Sequence, residues 1–521
     1  MSRFFQIAAT VTLFLFSTGD TLGFSMLGPR PPWQTTAIGY DLNGALAGGG
    51  GPMNINEEYR WNVPEIHYGY SAEFLSYFGQ RGVDSIEEAV QLFNDLPDLD
   101  NVDLNDYPTE SGRVNLRAAA LGITDVKTTA LNALMAARGV ADPTRYAFVL
   151  RNRWVVNTIT NYLVTKRNFD PFTLRPSSFI NGTLYTYIIE DPVTVAAGAG
   201  GGAGGAGGGG AGAQVAWANN FPVDPLERLF PRTLPVAGSE TLGVPPGFFF
   251  TQLTRDDVGA LKHIYRSSNY NTENALGDVT GGAGAGGVTT GFPGGGGVFD
   301  FPAGAVGAGG GPFDFPFAAT NALAGGAVGG VGQAAGGAGV GGAAGGTFIN
   351  PAIKGGFSQI EFVRADYDSL VGVFFNPLTV RFTETVLTND RPRSQSLTRT
   401  VTQPDIIFDA ADLQGGDAQA GDPPVGLQTS PATGWNNSDA LDGITGDDFG
   451  PGVIVPPFRI TFNAVGPVFL NAVSTNSAFL TEGSLSARSE LIWGSFDGST
   501  NAPVVYPVGT SILDVESQVR R

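Results

Sequence analysis

The sequence predicts an α+β domain followed by an all-β, antiparallel sandwich-like domain, with a glycine-rich linker between them. Up to residue 276, helical periodicities with capping residues alternate with strand-like runs. From residue 347 onward, short runs of β-branched and aromatic residues stand between Gly, Pro, Asn and Asp. Three tracts rich in glycine interrupt or separate these regions, and the 521 residues suffice for two to four domains of about 100–200 residues each.

The beginning of the chain is typical of a secretory signal peptide. Arg3 precedes an apolar run at 7–16, which is followed by small and polar residues and is too short to span a bilayer. The predicted segments are therefore a signal peptide at 1–25, an α+β domain at 26–276 with a Gly/Ala insertion at 196–213, a Gly-rich linker at 277–346 and a β-rich domain at 347–521. Within the linker, the tetrapeptide FDFP occurs twice, starting at Phe299 and Phe313.

Three helices are predicted in the first domain from their caps and apolar stripes. The residues at 84–87 match a capping box and precede apolar residues at helical spacing. A second helix is expected over 125–138, with Thr124 as its cap. A third begins at Thr254, which caps it, and Asp257 takes the reciprocal position of the capping box.

Strands are predicted where β-branched and aromatic residues cluster between turn-forming residues. In the first domain these runs are 146–149, 155–164 and 184–190, and in the second they are 359–364, 378–387, 396–403, 406–408, 452–464 and 502–506. Because proline donates no hydrogen bond to a sheet, Pro456 and Pro457 predict an edge position or a bulge inside their run.

Composition excludes several classes of chemistry. The chain has no cysteine, which rules out thiol nucleophiles and disulfides, and two histidines, His67 and His263, which are too few for a histidine-rich metal site. The net charge of −19 argues against binding to the phosphate backbone of nucleic acids. No motif typical of a serine nucleophile or a phosphate-binding loop is present. We therefore predict no catalytic or cofactor-binding residues.

Two stretches are similar to parts of a known protease family. The residues at 59–68, with the helix that follows them to position 93, and those at 253–265 resemble the opening strand and helix and the closing helix of matrixin-type metzincins. The resemblance implies a domain of that class over about 60–265. The zinc motif of the family is absent, because neither His67 nor His263 lies in an HExxH frame. What the resemblance implies is a scaffold without its metal and its protease chemistry.

Two acidic stretches carry oxygen donors at spacings that suit calcium. The first contains Asp98, Asp100 and Asp103, and the second contains Asp439, Asp442 and Asp447. Calcium prefers six to eight oxygen ligands, and exported proteins encounter it at high concentration. The first stretch lacks the glycine and the glutamate of an EF-hand loop, and a solvated acidic loop is the alternative interpretation of both. Calcium is the one cofactor that the sequence suggests.

The glycine tracts and the scarcity of lysine favour a structural function. Of 29 basic residues, only Lys127, Lys166, Lys262 and Lys354 are lysines, so the usual protection of exposed sheet edges is nearly missing. The tracts are either flexible loops or segments that become ordered against neighbouring chains.

These features predict a secreted, non-enzymatic protein, extracellular or at the cell surface, that assembles with copies of itself into a filament, sheath or matrix. We expect a homo-oligomer or polymer with no nucleic-acid partner and no transmembrane segment in the mature chain. The alternative is a soluble secreted binding module, or a hydrolase that acts on extracellular polysaccharide or peptide through acidic residues.

Overall fold

A computed structural model describes most of the chain outside the glycine tracts. The described residues are 22–28, 35–38, 54–194, 214–239, 245–281, 348–366, 376–410, 413, 428–431, 435–436, 447–448, 451–463, 466–468 and 492–519. All statements below about helices, strands and contacts concern these residues. The predicted signal peptide and the FDFP repeats lie outside them.

Helices and strands alternate along the first half of the chain, and strands predominate in the second. The helices are α1 Ala72–Asn94, α2 Leu116–Leu121, α3 Val126–Ala137, α4 Pro143–Tyr146, α5 Pro225–Leu229, α6 Arg255–Tyr265 and α7 Ile512–Val519. The strands up to the long glycine-rich segment are β1 Ser25–Met26, β2 Tyr59–Arg60, β3 Glu65–Tyr70, β4 Gly112–Val114, β5 Ile123–Asp125, β6 Val140–Ala141, β7 Val149–Val156, β8 Ile159–Thr165, β9 Phe179–Ile180, β10 Thr183–Thr194, β11 Gln214–Pro222, β12 Phe248–Phe250, β13 Asn271–Glu273 and β14 Val279–Gly281. Those after it are β15 Ala352–Lys354, β16 Glu361–Arg364, β17 Leu378–Thr388, β18 Arg391–Val401, β19 Ile406–Asp409, β20 Gln428–Pro431, β21 Trp435–Asn436, β22 Asp447–Asp448, β23 Gly452–Val455, β24 Phe458–Asn463, β25 Gly466–Val468, β26 Ile492–Ser495 and β27 Val504–Val505.

Strands from the two predicted domains share sheets. One five-stranded sheet has the order β16-β3-β19-β24-β25, in which β3 from the first half pairs in parallel with both β16 and β19. Two smaller sheets also combine the halves, through the parallel pairs β2–β23 and β5–β26. The described residues of 1–280 and 349–521 accordingly form one compact unit.

The glycine-rich segments connect strands of the same sheet. Residues 195–213 join β10 to β11, which pair antiparallel and face each other at Thr194 and Gln214. Residues 282–347 lie between β14 and β15, which both belong to the sheet with the order β13-β15-β17-β18-β14. The second unit, residues 281–348, corresponds to most of the segment that the sequence predicts as a linker.

Aromatic packing between α1 and two sheets forms a central part of the core. Phe74 and Phe78 project from α1, with ring centroids 4.8 Å apart. They contact Phe462 of β24 at 5.8 and 5.4 Å, and Phe462 in turn contacts Trp493 of β26 at 5.2 Å. Tilted and edge-on ring pairs of this kind add to the stabilisation from burial. The core therefore depends on residues from both halves of the chain.

The prediction for the first helix is wrong at its start. α1 begins after Ser71, whose Oγ accepts a hydrogen bond from the Phe74 backbone N–H at 3.0 Å, so the residues at 84–87 lie inside the helix and cap nothing. Gly79 interrupts the helix with φ 56° and produces a kink. Because of this kink, the part of α1 after Gly79 is a separate helical segment, and the sequence pattern at 84–93 predicts it as a helix of its own.

The other two predicted helices form, with small differences. α3 is capped by Asp125 rather than by Thr124, since Asp125 Oδ2 accepts from the Thr128 backbone N–H at 2.8 Å. The capping box of α6 is confirmed, because Thr254 and Asp257 bond to each other's backbone N–H groups.

Three strand predictions need correction, those for the runs at 155–164, 146–149 and 452–464. The run at 155–164 is a hairpin, since Asn157 and Thr158 have φ values of 48° and 69° and form the turn between β7 and β8. The run at 146–149 begins in α4, and the strand begins only at Val149. Pro456 and Pro457 separate β23 from β24, two strands of different sheets.

The cap of α3 predicts a dependence of stability on pH. Burial raises the pKa of Asp125 to about 6, against the opposing hydrogen bonds from Thr128. The native state therefore binds more protons than the unfolded state between about pH 6 and pH 4, and the charged carboxylate costs stability at pH 7. Asp125→Asn keeps a cap acceptor without a charge, so we expect it to raise the free energy of unfolding by about 2 kcal/mol at pH 7.

The gain should shrink as the pH is lowered toward 4, because wild-type Asp125 is then protonated in the native state and increasingly protonated in the unfolded state. Urea unfolding of both proteins at pH 7 and at pH 4.5 measures the difference. A gain of the same size at both pH values would contradict this account of the cap.

Candidate functional site

The first predicted calcium stretch uses its carboxylates within the polypeptide. Asp98 accepts from the Asp100 backbone N–H at 3.0 Å, Asp100 from that of Ser267 at 2.8 Å, and Asp103 from that of Asn105 at 2.9 Å. Hydrogen bonds from Ser358 and from the Asp100 backbone lower the pKa of Asp98. Asp98 and Asp103 thus stabilise a turn and a short 3₁₀ helix, and Asp100 binds the segment that follows α6.

The second calcium stretch is only partly described. Asp439 and Asp442 lie outside the described residues, and Asp447 lies in β22, opposite Asn436 of β21. In the described part of the chain, no three His, Asp or Glu side chains are arranged to hold a metal ion. Calcium binding remains a prediction.

Both histidines lie inside the protein. His67 is 2% exposed, with its Nδ1 3.7 Å from the Asp405 carboxylate. His263, also 2% exposed, packs against Phe24 with ring centroids 5.4 Å apart. Burial lowers the pKa of His263, although Glu58 opposes the change, so its ring is neutral near pH 7.

A buried ionic network connects the two halves of the chain. The Arg60 guanidinium pairs with Glu273 at 2.6 Å, and both side chains are fully buried. The Lys354 ammonium lies 3.1 Å from the Glu384 carboxylate, again with both side chains buried. Burial raises the pKa of Glu273, and the charges of Arg60 and Lys354 act against that rise. These groups are neutralised by one another, which is the arrangement of a structural network.

A second part of the network centres on Arg399. Its Nε donates to Asp278 at 2.8 Å, and its terminal nitrogens bind Asp405. Burial would raise the pKa of Asp405, but hydrogen bonds from His67 and the charge of Arg399 outweigh burial and lower it. His67, the histidine of the metzincin-like motif, therefore lies beside the Asp405 carboxylate, which already pairs with Arg399.

The exposed part of the molecule contains a different candidate, an apolar face on the β7–β8 hairpin. Trp154, Val156 and Ile159 are 42%, 51% and 66% exposed. Val156 lies directly opposite Ile159 in the ladder, and Trp154 is two residues from Val156, so all three project from the same side. We refer to these three residues as the hairpin face.

The opposite side of the hairpin is held by polar contacts. Arg153 Nε donates to Asp191 at 2.6 Å, and the Tyr162 hydroxyl donates to the same carboxylate at 2.7 Å. Asp191 belongs to β10, so this side of the hairpin is attached to its neighbour and the hairpin face is directed away from it.

The outer edge of the hairpin is β8. Among the described residues, β8 pairs only with β7. It contains no lysine, and Lys166, which follows it, is engaged with Ser178 and with the Phe148 ring. An exposed edge without lysine is available for pairing with a further strand.

A second exposed apolar stripe lies on the short helix α5 and the residue after it. Leu226, Leu229 and Phe230 are 58%, 71% and 64% exposed. Leu226 and Leu229 are three positions apart and share one side of the helix, and Phe230 follows the helix with non-helical backbone angles. We refer to these three residues as the α5 stripe. More than half of the large hydrophobic side chains that are exposed in the described residues lie between positions 154 and 230. Clusters of this kind mark interaction sites more often than single exposed residues do.

Sequence reasoning missed both surfaces. Val156 and Ile159 belong to the run at 155–164, for which the sequence predicts one strand, and Trp154 lies just before it. The Asn-Thr pair at 157–158 was the signal that could have revealed a hairpin tip.

Comparisons with protein families, with curated proteins and with solved structures find no match to this chain. The resemblance to metzincins at 59–93 and 253–265 remains a prediction, carried by β2, β3, α1 and α6. No described helix is both long and apolar enough to cross a membrane.

The buried network allows a test of its structural contribution. Asp405→Asn removes a buried carboxylate that pairs with Arg399 and whose pKa is lowered, against burial, by hydrogen bonds from His67 and by the Arg399 charge, so the native state favours its charged form. The substitution leaves the buried Arg399 cation without one of its two carboxylate partners. We expect the free energy of unfolding to fall by about 3–5 kcal/mol. The control is Glu88→Gln, because Glu88 pairs with Lys127 at 2.9 Å but is 63% exposed, and its loss should cost less than about 1 kcal/mol. Chemical denaturation of both variants measures the two values, and similar losses would contradict a special contribution of burial.

Proposed function

We propose that this is an exported, non-enzymatic structural protein that associates with copies of itself into an extracellular filament, sheath or matrix. The observation that supports the proposal is the hairpin face, three exposed apolar side chains beside an unpaired strand edge. Burial of such side chains in a contact between copies contributes about 25 cal/mol per Å² of apolar area.

The partner that we propose at this surface is a second copy of the chain. An exposed β8 edge can pair antiparallel with the same edge of another molecule about a twofold axis, so both partners use identical residues. Such pairing satisfies the open backbone groups of both strands and brings the two hairpin faces to the same side of a four-stranded sheet.

Growth beyond a dimer needs a second contact, and the α5 stripe supplies the surface for it. A twofold contact at the hairpin and another at Leu226, Leu229 and Phe230 would alternate along an open chain of molecules. A molecule with twofold contacts at two separate patches can form a linear polymer.

The net charge of −19 acts against association. Like charges on neighbouring copies repel, and salt weakens that repulsion because the screening length falls from about 10 Å at 0.1 M to about 3 Å at 1 M. Association through apolar faces should therefore strengthen with ionic strength, whereas association through ion pairs should weaken.

The prediction concerns assembly size. Val156→Lys with Ile159→Lys places two charges on the hairpin face, and we expect this variant to stop at dimers held by α5. Leu229→Lys with Phe230→Lys should stop at dimers held by the hairpin, and the combination of all four changes should be monomeric. Sedimentation velocity at low and high salt distinguishes these states.

The matched control is Leu513→Lys, because Leu513 is 65% exposed, close to the 66% of Ile159, but lies on α7. It should assemble like the wild type. A wild-type protein that remains monomeric at every salt concentration would refute self-association, and unchanged polymers in the four-site variant would refute these two surfaces.

A further inference from the structure

A small cleft lies between the end of α1 and the segment before β16. Its volume is about 200 Å³, and its lining includes Phe93, Leu99, Arg138 and Ile360, all buried. Exposed residues, among them Pro97 and Glu361, form its rim, so the cleft opens to solvent.

The walls of the cleft are fixed to each other by hydrogen bonds. The Asn94 side chain donates to the Phe362 carbonyl at 2.9 Å and accepts from the Phe362 N–H at 2.8 Å. The Leu99 backbone N–H donates to the Ser358 carbonyl at 2.9 Å. The cleft is therefore formed before any ligand arrives, which lowers the entropic cost of binding.

Among the described residues, Arg138 differs from the other two fully buried arginines, Arg60 and Arg399, because it has no carboxylate partner. Arg60 and Arg399 are as deeply buried, and each is paired with a carboxylate. Arg138 is 1% exposed, its Nε has no hydrogen-bond partner, and no described carboxylate forms an ion pair with it.

Aromatic rings surround the Arg138 guanidinium instead. Its central carbon lies 4.6 Å from the Tyr265 ring centroid, 5.7 Å from that of Phe93 and 5.8 Å from that of Phe362. The Tyr265 hydroxyl donates to the Arg138 carbonyl at 2.9 Å. Ring faces attract a cation but offer no counter-charge, and burial lowers the pKa of Arg138. Arginine nevertheless stays protonated in proteins, so the cleft contains an uncompensated positive charge.

We propose that this cleft binds a small monocarboxylic acid with an apolar body. The planar guanidinium presents paired donors that match a carboxylate, while Phe93, Leu99 and Ile360 offer apolar surface to the rest of the molecule. Pockets for drug-sized ligands measure about 300–1,000 Å³, so this cleft admits only a small acid. The Glu361 carboxylate at the rim disfavours a second negative charge on the ligand.

The test uses phenylacetate as the probe and neutral phenylacetamide, which has nearly the same shape, as its control. Isothermal titration of the full chain should show binding of phenylacetate, and at least about tenfold weaker binding of phenylacetamide, since the charge-assisted hydrogen bond is lost. Equal affinities, or no phenylacetate binding up to about 10 mM, would overturn the proposal.

Two variants locate the binding. Arg138→Met replaces an unpaired buried charge with an apolar side chain of similar length, so it should fold with an unchanged or higher melting temperature. It should lose phenylacetate binding at least about tenfold. A folded Arg138→Met that binds as well as the wild type would refute the role of the arginine.

Glu361→Gln tests the site without touching the core. Removal of the negative charge at the rim should tighten phenylacetate binding about two- to threefold at low salt, because repulsion is relieved. Glu110→Gln, an exposed glutamate outside the lining of the cleft, should leave the affinity unchanged. Equal effects of the two substitutions would place the ligand elsewhere.

Discussion

The fully buried Arg60 guanidinium is the contact on which the arrangement of the chain depends. Besides Glu273 it binds the carbonyls of Ile264, Asn269 and Lys354, at 3.1, 2.8 and 2.9 Å. Its partners are 204 to 294 residues away in the sequence. Because a buried cation without these acceptors costs several kcal/mol, segments on both sides of the glycine tracts must meet around it. The tracts at 195–213 and 282–347 are then connections between strands that belong to the same sheet.

The same constraint explains the distribution of charge in the core. Lys354 with Glu384, and Arg399 with Asp278 and Asp405, join strands of one sheet or tie that sheet to its neighbours. Charges in such positions add little net stability over apolar residues but penalise a shifted register, which would leave them unpaired. Among the three fully buried arginines, Arg138 is the exception, because no described carboxylate pairs with it. This missing partner distinguishes the Arg138 cleft, which we propose as a binding site, from the structural ion pairs of Arg60 and Arg399.

Structural features that depend only on residues close together in the sequence could be predicted from it. The capping box of α6 and the strands β16, β17 and β19 require only local patterns, so the sequence predicts them close to their observed positions. The pairing of β3 with β16 and β19 joins residues about 300 positions apart, and hydrophobic periodicity contains no information about such partners. The cleft could not be predicted for the same reason. In the sequence, Arg138 is an ordinary residue at the end of a helix, and only the fold brings Phe362 and Ile360 beside it.

The hairpin face could not be predicted from the sequence for a different reason. Alternation of apolar and polar residues shows that a strand has an apolar side, but not whether the same molecule covers that side. The structure assigns the polar side to Asp191, which receives hydrogen bonds from Arg153 and Tyr162 and fixes the orientation of the hairpin. A surface held in place by contacts behind it loses little freedom when it binds. In the assembly that we propose, the net charge of −19 acts against association, and this fixed orientation acts in its favour because each copy then presents the same edge in the same direction.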